Sequence, residues 1–184
     1  MSNIIIAIGS LIIFGTFLTS SNRLMTGNTQ IAQQNEYYVA ALSLAQAVLD
    51  EAKTKAFDEQ TVTTKVLSSS VLTSPGSLGR ESGAESVPNP DIVLSSGAYR
   101  SIVKFDDVDD YNNYRRLVNT PRAEGYRILV KVNYASETYP DSSRTARTFC
   151  KKMTVCVTSP YFPKMQKGST FIPDTLKISY AFTY

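Results

Sequence analysis

Ile4-Ile5-Ile6-Ala7-Ile8-Gly9-Ser10-Leu11-Ile12-Ile13-Phe14-Gly15-Thr16-Phe17-Leu18 is apolar on every side of a helix and carries no charge. Such a segment is at rest only in lipid or in a protein core as dry as lipid. From Ile31 the pattern narrows to one stripe. Ile31, Asn35, Tyr38, Leu42, Ala45, Leu49, Ala52 and Ala56 recur at alternating steps of four and three, which keeps them on one helix face. Gln30, Gln34, Glu36, Ser43, Gln46, Asp50, Lys53 and Lys55 occupy the other. No proline interrupts residues 1–56, so the two patterns read as one helix, roughly 80 Å long at 1.5 Å per residue. Residues 1–28 are expected to form a stem for a membrane or a filament core, and residues 29–56 an amphipathic half that packs on a head. Gly9, Gly15 and Gly27 weaken the helix locally, and Met25-Thr26-Gly27-Asn28 is the expected place for it to loosen.

The stem has a competing reading as a cleaved signal peptide, since the apolar run is short and Thr19-Ser20-Ser21 is a small-residue segment. No Lys or Arg precedes the run, however, and the helical pattern resumes after Arg23. A retained stem is therefore expected. The chain has 184 residues, 42% hydrophobic and 19% charged, with a net charge of +3. That suits one stem and one modest head, and the scattered basic residues do not demand a specific nucleic acid. Histidine is absent, which removes the commonest general base and metal ligand. Cys150 and Cys156 lie in one expected strand, about 20 Å apart if extended, too far to bridge each other.

Residues 57–98, rich in Ser, Gly and Pro between Ser68 and Pro90, read as a connecting loop region. Residues 99–184 read as an antiparallel head. Tyr99–Phe105 is an expected first strand. In Gly125–Ala135, Tyr126, Ile128, Val130, Val132 and Tyr134 share a face. Phe149–Val157 places Phe149, Met153, Val155 and Val157 together, and Thr175–Tyr184 does the same for Leu176, Ile178, Tyr180, Phe182 and Tyr184. The expected fold is α+β: an antiparallel sheet of about four strands covered by the amphipathic helix half through Tyr38, Leu42 and Leu49.

The chain resembles the type IV pilin and type II secretion pseudopilin superfamily, in particular its minor prepilin-like group. Three stretches carry the similarity: Ala41 to Glu59, Phe105-Asp106-Asp107-Val108-Asp109-Asp110-Tyr111, and Lys151 to Thr158. The resemblance implies a pilin-like fold and a structural subunit that is no enzyme. It implies residence in the inner membrane before assembly, contact with pilus or secretion assembly machinery, and then an extracellular or periplasmic filament of identical copies. Ile4, Ile8, Leu11, Ile12, Phe14 and Leu18 would form the assembly interface, the same surface being satisfied first by lipid and then by protein. Two departures stand out. No basic leader is seen, and Ile5 occupies the place of the family's glutamate if Met1 is the mature first residue. A plain single-span anchor for a binding module is the alternative.

Asp106, Asp107, Asp109 and Asp110 form the one constellation with possible chemistry, a candidate calcium loop. The expected reading is the plainer one, a solvated acidic turn paired with Arg115, Arg116 or Arg122, with calcium as its competitor; no other cofactor is implied. Tyr126, Tyr134, Tyr180 and Tyr184 read as sheet core, and Tyr111, Tyr114, Tyr139 and Tyr161 as exposed loop residues. Lys151-Lys152 and Arg115-Arg116 read as surface charge.

Overall fold

The computed structural model of the chain describes residues 2–81, 83, 85–167 and 169–184. The chain divides into two units, one ending at Tyr37 and the other running from Tyr38 to Tyr184. Helix α1 (Ser2–Ala52) supplies the whole of the first unit and the opening segment of the second. It does not loosen at Met25–Asn28. There the hydroxyls of Thr26 and Thr29 donate to the carbonyls of Asn22 and Thr26, so the polar side chains are satisfied by their own helix.

Within the second unit, α1 buries Ala41, Ala45, Val48, Leu49 and Ala52. This line is rotated from the expected one. Leu49 is buried and Tyr38 half-buried, but Leu42 is 38% exposed. Three of the five buried positions are alanines, whose short side chains hold nothing away from the helix backbone. Tyr38 stacks on Phe162 at 4.4 Å between ring centroids and donates its hydroxyl to Asp174 Oδ2 at 2.7 Å. The helix ends at Ala52, and Thr54 Oγ1 returns to the carbonyl of Glu51.

Five strands form the main sheet in the order β1-β2-β3-β4-β7: β1 (Asp91–Ile92), β2 (Arg115–Val118), β3 (Tyr126–Tyr134), β4 (Cys150–Thr158) and β7 (Thr175–Thr183). β5 (Lys164–Lys167) and β6 (Thr170–Pro173) make a separate antiparallel pair. The long pairings are antiparallel, β3 meeting β4 from Arg127↔Thr158 to Tyr134↔Lys151, and β4 meeting β7 from Cys150↔Thr183 to Thr158↔Thr175. β1 runs parallel to β2, so the sheet is mixed and five-stranded, not wholly antiparallel and four-stranded. A two-residue strand has no alternation to read, which is why Asp91-Ile92 was not foreseen. Chain entry into β3 depends on Gly125, whose φ is +79° and where a Cβ would meet Pro160 at 3.4 Å.

Tyr99–Phe105 is not a strand. Residues Ser101–Lys104 form a single helical turn, α3, with Phe105 N–H donating to the Ser101 carbonyl at 3.1 Å. Ser101 is its buried residue, and Phe105, just past the turn and four residues on, is buried beside it. Residues 57–98 carry helix α2 (Glu59–Thr63), the 3₁₀ turn Ser69–Val71 and strand β1. They also supply Phe57, Val66, Leu72 and Leu78 to a core cluster closed by Tyr134.

The tyrosine assignments divide. Tyr126 and Tyr134 are buried on β3, but Tyr180, on the edge strand β7, and Tyr184, just past it, are exposed. Tyr111 and Tyr114 are fully buried, while Tyr139 and Tyr161 are exposed. Phe105, Tyr111 and Tyr114 pack edge to face at 4.9–5.8 Å, the geometry that aligns ring edges with ring faces.

Those rings surround a buried polar network. Arg116 Nη2 donates to Glu51 Oε2 at 2.6 Å and to Ser101 Oγ at 2.8 Å, and its Nε donates to the Tyr114 hydroxyl at 2.9 Å. Tyr114 in turn donates to Asp91 Oδ2, and Tyr111 donates to Glu51 Oε1. The guanidinium also lies 3.9 Å from the Tyr99 ring centroid. Arg116 is thus an internal tie between α1, α3, β1 and β2 rather than surface charge. Arg116→Leu strands a nearly buried Glu51 carboxylate and is expected to lower the unfolding free energy by about 3–5 kcal/mol. Arg116→Lys restores one charge but not the forked contacts, and should fall between. Urea denaturation in detergent checks both; a loss below about 1 kcal/mol in the leucine variant would contradict the reading.

Candidate functional site

Two places are candidates for a functional role, one in each unit. In the first, the side chains of Ile4, Ile8, Leu11, Ile12, Phe14 and Leu18 are between 47% and 74% exposed. Ile5, Ile6, Ile13 and Phe17 are equally exposed on the remaining sides. The hydroxyls among them donate inward: Ser10 to the Ala7 carbonyl, Thr16 to that of Ile13, and Thr19 to that of Gly15. Those bonds remove the segment's few polar groups from competition with an apolar environment. The helix is long and apolar enough to cross a membrane, judged by length and composition.

The second place is an acidic centre in the head. Ala56 N–H donates to the Asp106 carbonyl, and Val108 N–H donates to the Ala56 carbonyl, so the exit from α1 is bridged to the segment 106–110. Asp107 and Asp110 then brace that segment reciprocally. Asp107 Oδ1 accepts the Asp110 N–H at 3.0 Å, while Asp110 Oδ2 accepts the Asp106 and Asp107 N–H groups. Asp58, just past the bridge, caps α2 through the Gln60 N–H and holds Thr73 by both its N–H and its hydroxyl. Its backbone N–H is in turn accepted by Thr61 Oγ1.

The cation of this centre is Lys151 on β4, 0% exposed. All three ammonium protons are placed: Phe57 carbonyl at 2.8 Å, Asp58 Oδ2 at 2.7 Å and Asp109 Oδ1 at 2.5 Å. The Phe57 ring lies 4.8 Å from Nζ and the Tyr134 ring 5.5 Å. The expected solvated turn is corrected accordingly. Asp107, Asp109 and Asp110 are buried, and the basic partner is Lys151, while Arg116 belongs to Glu51. Burial alone would raise the Asp58 carboxyl, but the Lys151 ammonium and the Thr73 and Gln60 N–H groups outweigh it and hold it below its usual range.

The other carboxyls are pushed the opposite way. Burial, then the Asp109 charge and hydrogen bond, take Asp107 up to about 10. Asp107 Oδ2 and Asp109 Oδ2 are both buried without a hydrogen-bond donor. Burial and then the Glu85 carboxylate raise Asp110 to about 7. Burial and the hydrogen bond to Glu85 raise Glu81 to about 8. Glu59 and Asp106 are raised by burial, and next by Asp106 and Glu85 respectively.

The four aspartates singled out by sequence do not gather on one point. Among the described residues, the carboxylate groups close enough to share an ion are Glu59–Glu85–Asp106 and Glu81–Glu85–Asp110. Glu59, Glu81 and Glu85 were missed because they sit in the 57–98 stretch, far in sequence from residues 106–110. Lys151 left a signal: it has the same parity as Met153, Val155 and Val157 on β4.

Compared with protein-family models, curated proteins and solved structures, the chain matches none.

Lys151→Met leaves Asp58 and Asp109 buried without their cation and is expected to cost about 3–5 kcal/mol in urea denaturation. Adding Asp109→Asn removes one stranded charge and should recover part of that loss. A single variant as stable as the parent chain would contradict the pairing.

Proposed function

We propose that the chain is a structural subunit of a type IV pilus-like filament, polymerising through its hydrophobic N-terminal helix. The observation that carries this reading is the run of exposed apolar side chains from Ile4 to Leu18, turning around the whole helix. Water is a poor environment for it at roughly 25 cal/mol per Å² of apolar surface, and lipid or neighbouring copies of the same stem remove that cost. A helix apolar on every side can be surrounded by several like helices, as a central bundle requires. Copies related by a rotation and a rise repeat one contact without closing, which is the geometry of a fibre.

On this reading the subunit waits in the inner membrane, is extracted by pilus or secretion assembly machinery, and ends in an extracellular or periplasmic filament. The resemblance of Ala41 to Glu59, Phe105 to Tyr111 and Lys151 to Thr158 to the pilin and pseudopilin superfamily supports it, as does the α+β layout of a long helix with a sheet-bearing head. A second reading, a single-span membrane anchor carrying a binding module, is favoured by the helix's length and composition alone. Minor pseudopilin of a secretion system is a variant of the first.

Ile8→Asp and Leu11→Asp separate the readings. A filament subunit loses the sheared-filament fraction at least tenfold in both variants, while Ile8→Leu keeps it. Recovery of the parent chain only in membranes, with the Asp variants merely less membrane-bound, would contradict filament assembly.

A further inference from the structure

Basic residues that are scattered along the chain are gathered by the sheet. Neighbouring strand residues point to opposite faces, so each basic pair divides: Lys151 and Arg116 turn inward to their carboxylates, Lys152 and Arg115 outward. The register sets Arg115 opposite Leu129 and Lys152 opposite Asn133, which puts both on the face of β3 that carries Arg127 and Lys131. Lys177 on β7 lies on the same face, opposite Cys156. No outward position of β2, β3, β4 or β7 is a carboxylate. One face of the sheet is therefore buried against the core, and the other is open and positively charged.

We propose that this face binds duplex nucleic acid through its phosphates, without sequence preference. Arg115, Arg127, Lys131 and Lys177 are exposed and make no ion pair or side-chain hydrogen bond among the described residues. Lys152 is held at 2.9 Å by Asp141, a fully exposed carboxylate whose hold is weak in water. At about 4.8 Å between strands and 3.4 Å per residue, Arg127, Arg115, Lys131 and Lys152 follow one another in steps of about 8 Å. Phosphates recur about every 3.4 Å of axis along each strand of a duplex, so long side chains at that spacing reach alternate phosphates. Asn133, exposed among them, adds an uncharged donor of the kind phosphate oxygens accept.

What the face lacks narrows the ligand further. Its outward positions hold no aromatic ring, so the unpaired bases of a single strand find no stacking platform. Leu117 and Leu129 are half-buried and only Ile92, at the rim on β1, stands out beside them, so a membrane surface gains little apolar insertion. A duplex carries roughly one charge per 1.7 Å of axis, a denser line than a polysaccharide with one carboxylate on every second sugar. Because the whole face belongs to the head, the proposal holds for a filament subunit and for an anchored module alike.

The test titrates the full chain, in uncharged detergent micelles, into a fluorescently labelled duplex of mixed sequence and follows anisotropy. The logarithm of the affinity should fall with the logarithm of salt concentration at a slope of about −4, a loss of roughly two-hundredfold between about 50 and 200 mM. Arg127→Gln with Lys131→Gln should weaken binding at least about tenfold at low salt and bring the slope to about −2. Both side chains are exposed and unpaired, so the melting midpoint should not move. Arg127→Lys with Lys131→Arg should bind as the parent does. Lys65→Gln with Lys104→Gln removes the same charge from exposed residues outside the sheet and should leave the slope unchanged. The proposal is overturned if the parent chain shows no salt-dependent binding, or if the pair outside the sheet loses as much as the pair on β3. Tighter binding to labelled hyaluronate, or to vesicles containing phosphatidylserine, than to the duplex would overturn the choice of nucleic acid.

Discussion

One buried ammonium group, that of Lys151, constrains how the parts of the head can be arranged. It sits fully buried on the interior strand β4, with its three protons on a carbonyl and two carboxylates. A lone charge in that position would be expelled or neutralised, so the fold is constrained to deliver Asp58 and Asp109 to it. Asp58 comes from the segment just after α1, and Asp109 from a turn about fifty residues later. Their approach is arranged by the Ala56 bridge to Asp106 and Val108 and by the reciprocal bracing of Asp107 and Asp110. The helix exit, the long connecting stretch and the sheet therefore meet on one atom.

The Glu51–Arg116 network does the corresponding job at the C-terminal end of α1. It ties the helix to β1, β2 and α3 through Ser101, Tyr114 and Asp91. Buried ion pairs of this kind contribute modestly to net stability but penalise every arrangement that separates the partners. A head stitched by two such pairs has little freedom to rearrange. The stem obeys the opposite rule: it holds exposed apolar surface whose partners lie outside the chain, and its hydroxyls are folded back onto its own carbonyls.

Much of this could be read from sequence where a period governed the residues. The alternation Tyr126, Ile128, Val130, Val132, Tyr134 gave β3 with its buried face, and the run Ile4 to Leu18 gave an all-round apolar helix. Reading failed where contact order, not period, decides. Lys151 has core parity, yet a lysine is ordinarily solvated, and only the arrival of Asp58 and Asp109 makes its burial tolerable. Leu42 falls on the expected face by its spacing between Tyr38 and Ala45, but the buried line runs through Ala41 instead. Glu59, Glu81 and Glu85 have no local pattern that relates them to Asp106 and Asp110. Strand β1 is too short to alternate, and the turn at Ser101–Lys104 was mistaken for a strand because apolar content was read without its four-residue spacing.

The separation between an inwardly tied head and an outwardly apolar stem is what the filament account rests on. Its most direct test is electron cryo-microscopy of filaments sheared from cells that express the chain, with the subunit identified by mass spectrometry. The account predicts fibres built of this chain, with the stems from Ile4 to Leu18 packed against one another along the axis and the heads outside. Single copies retained in the membrane fraction, with no fibre containing the chain, would contradict it.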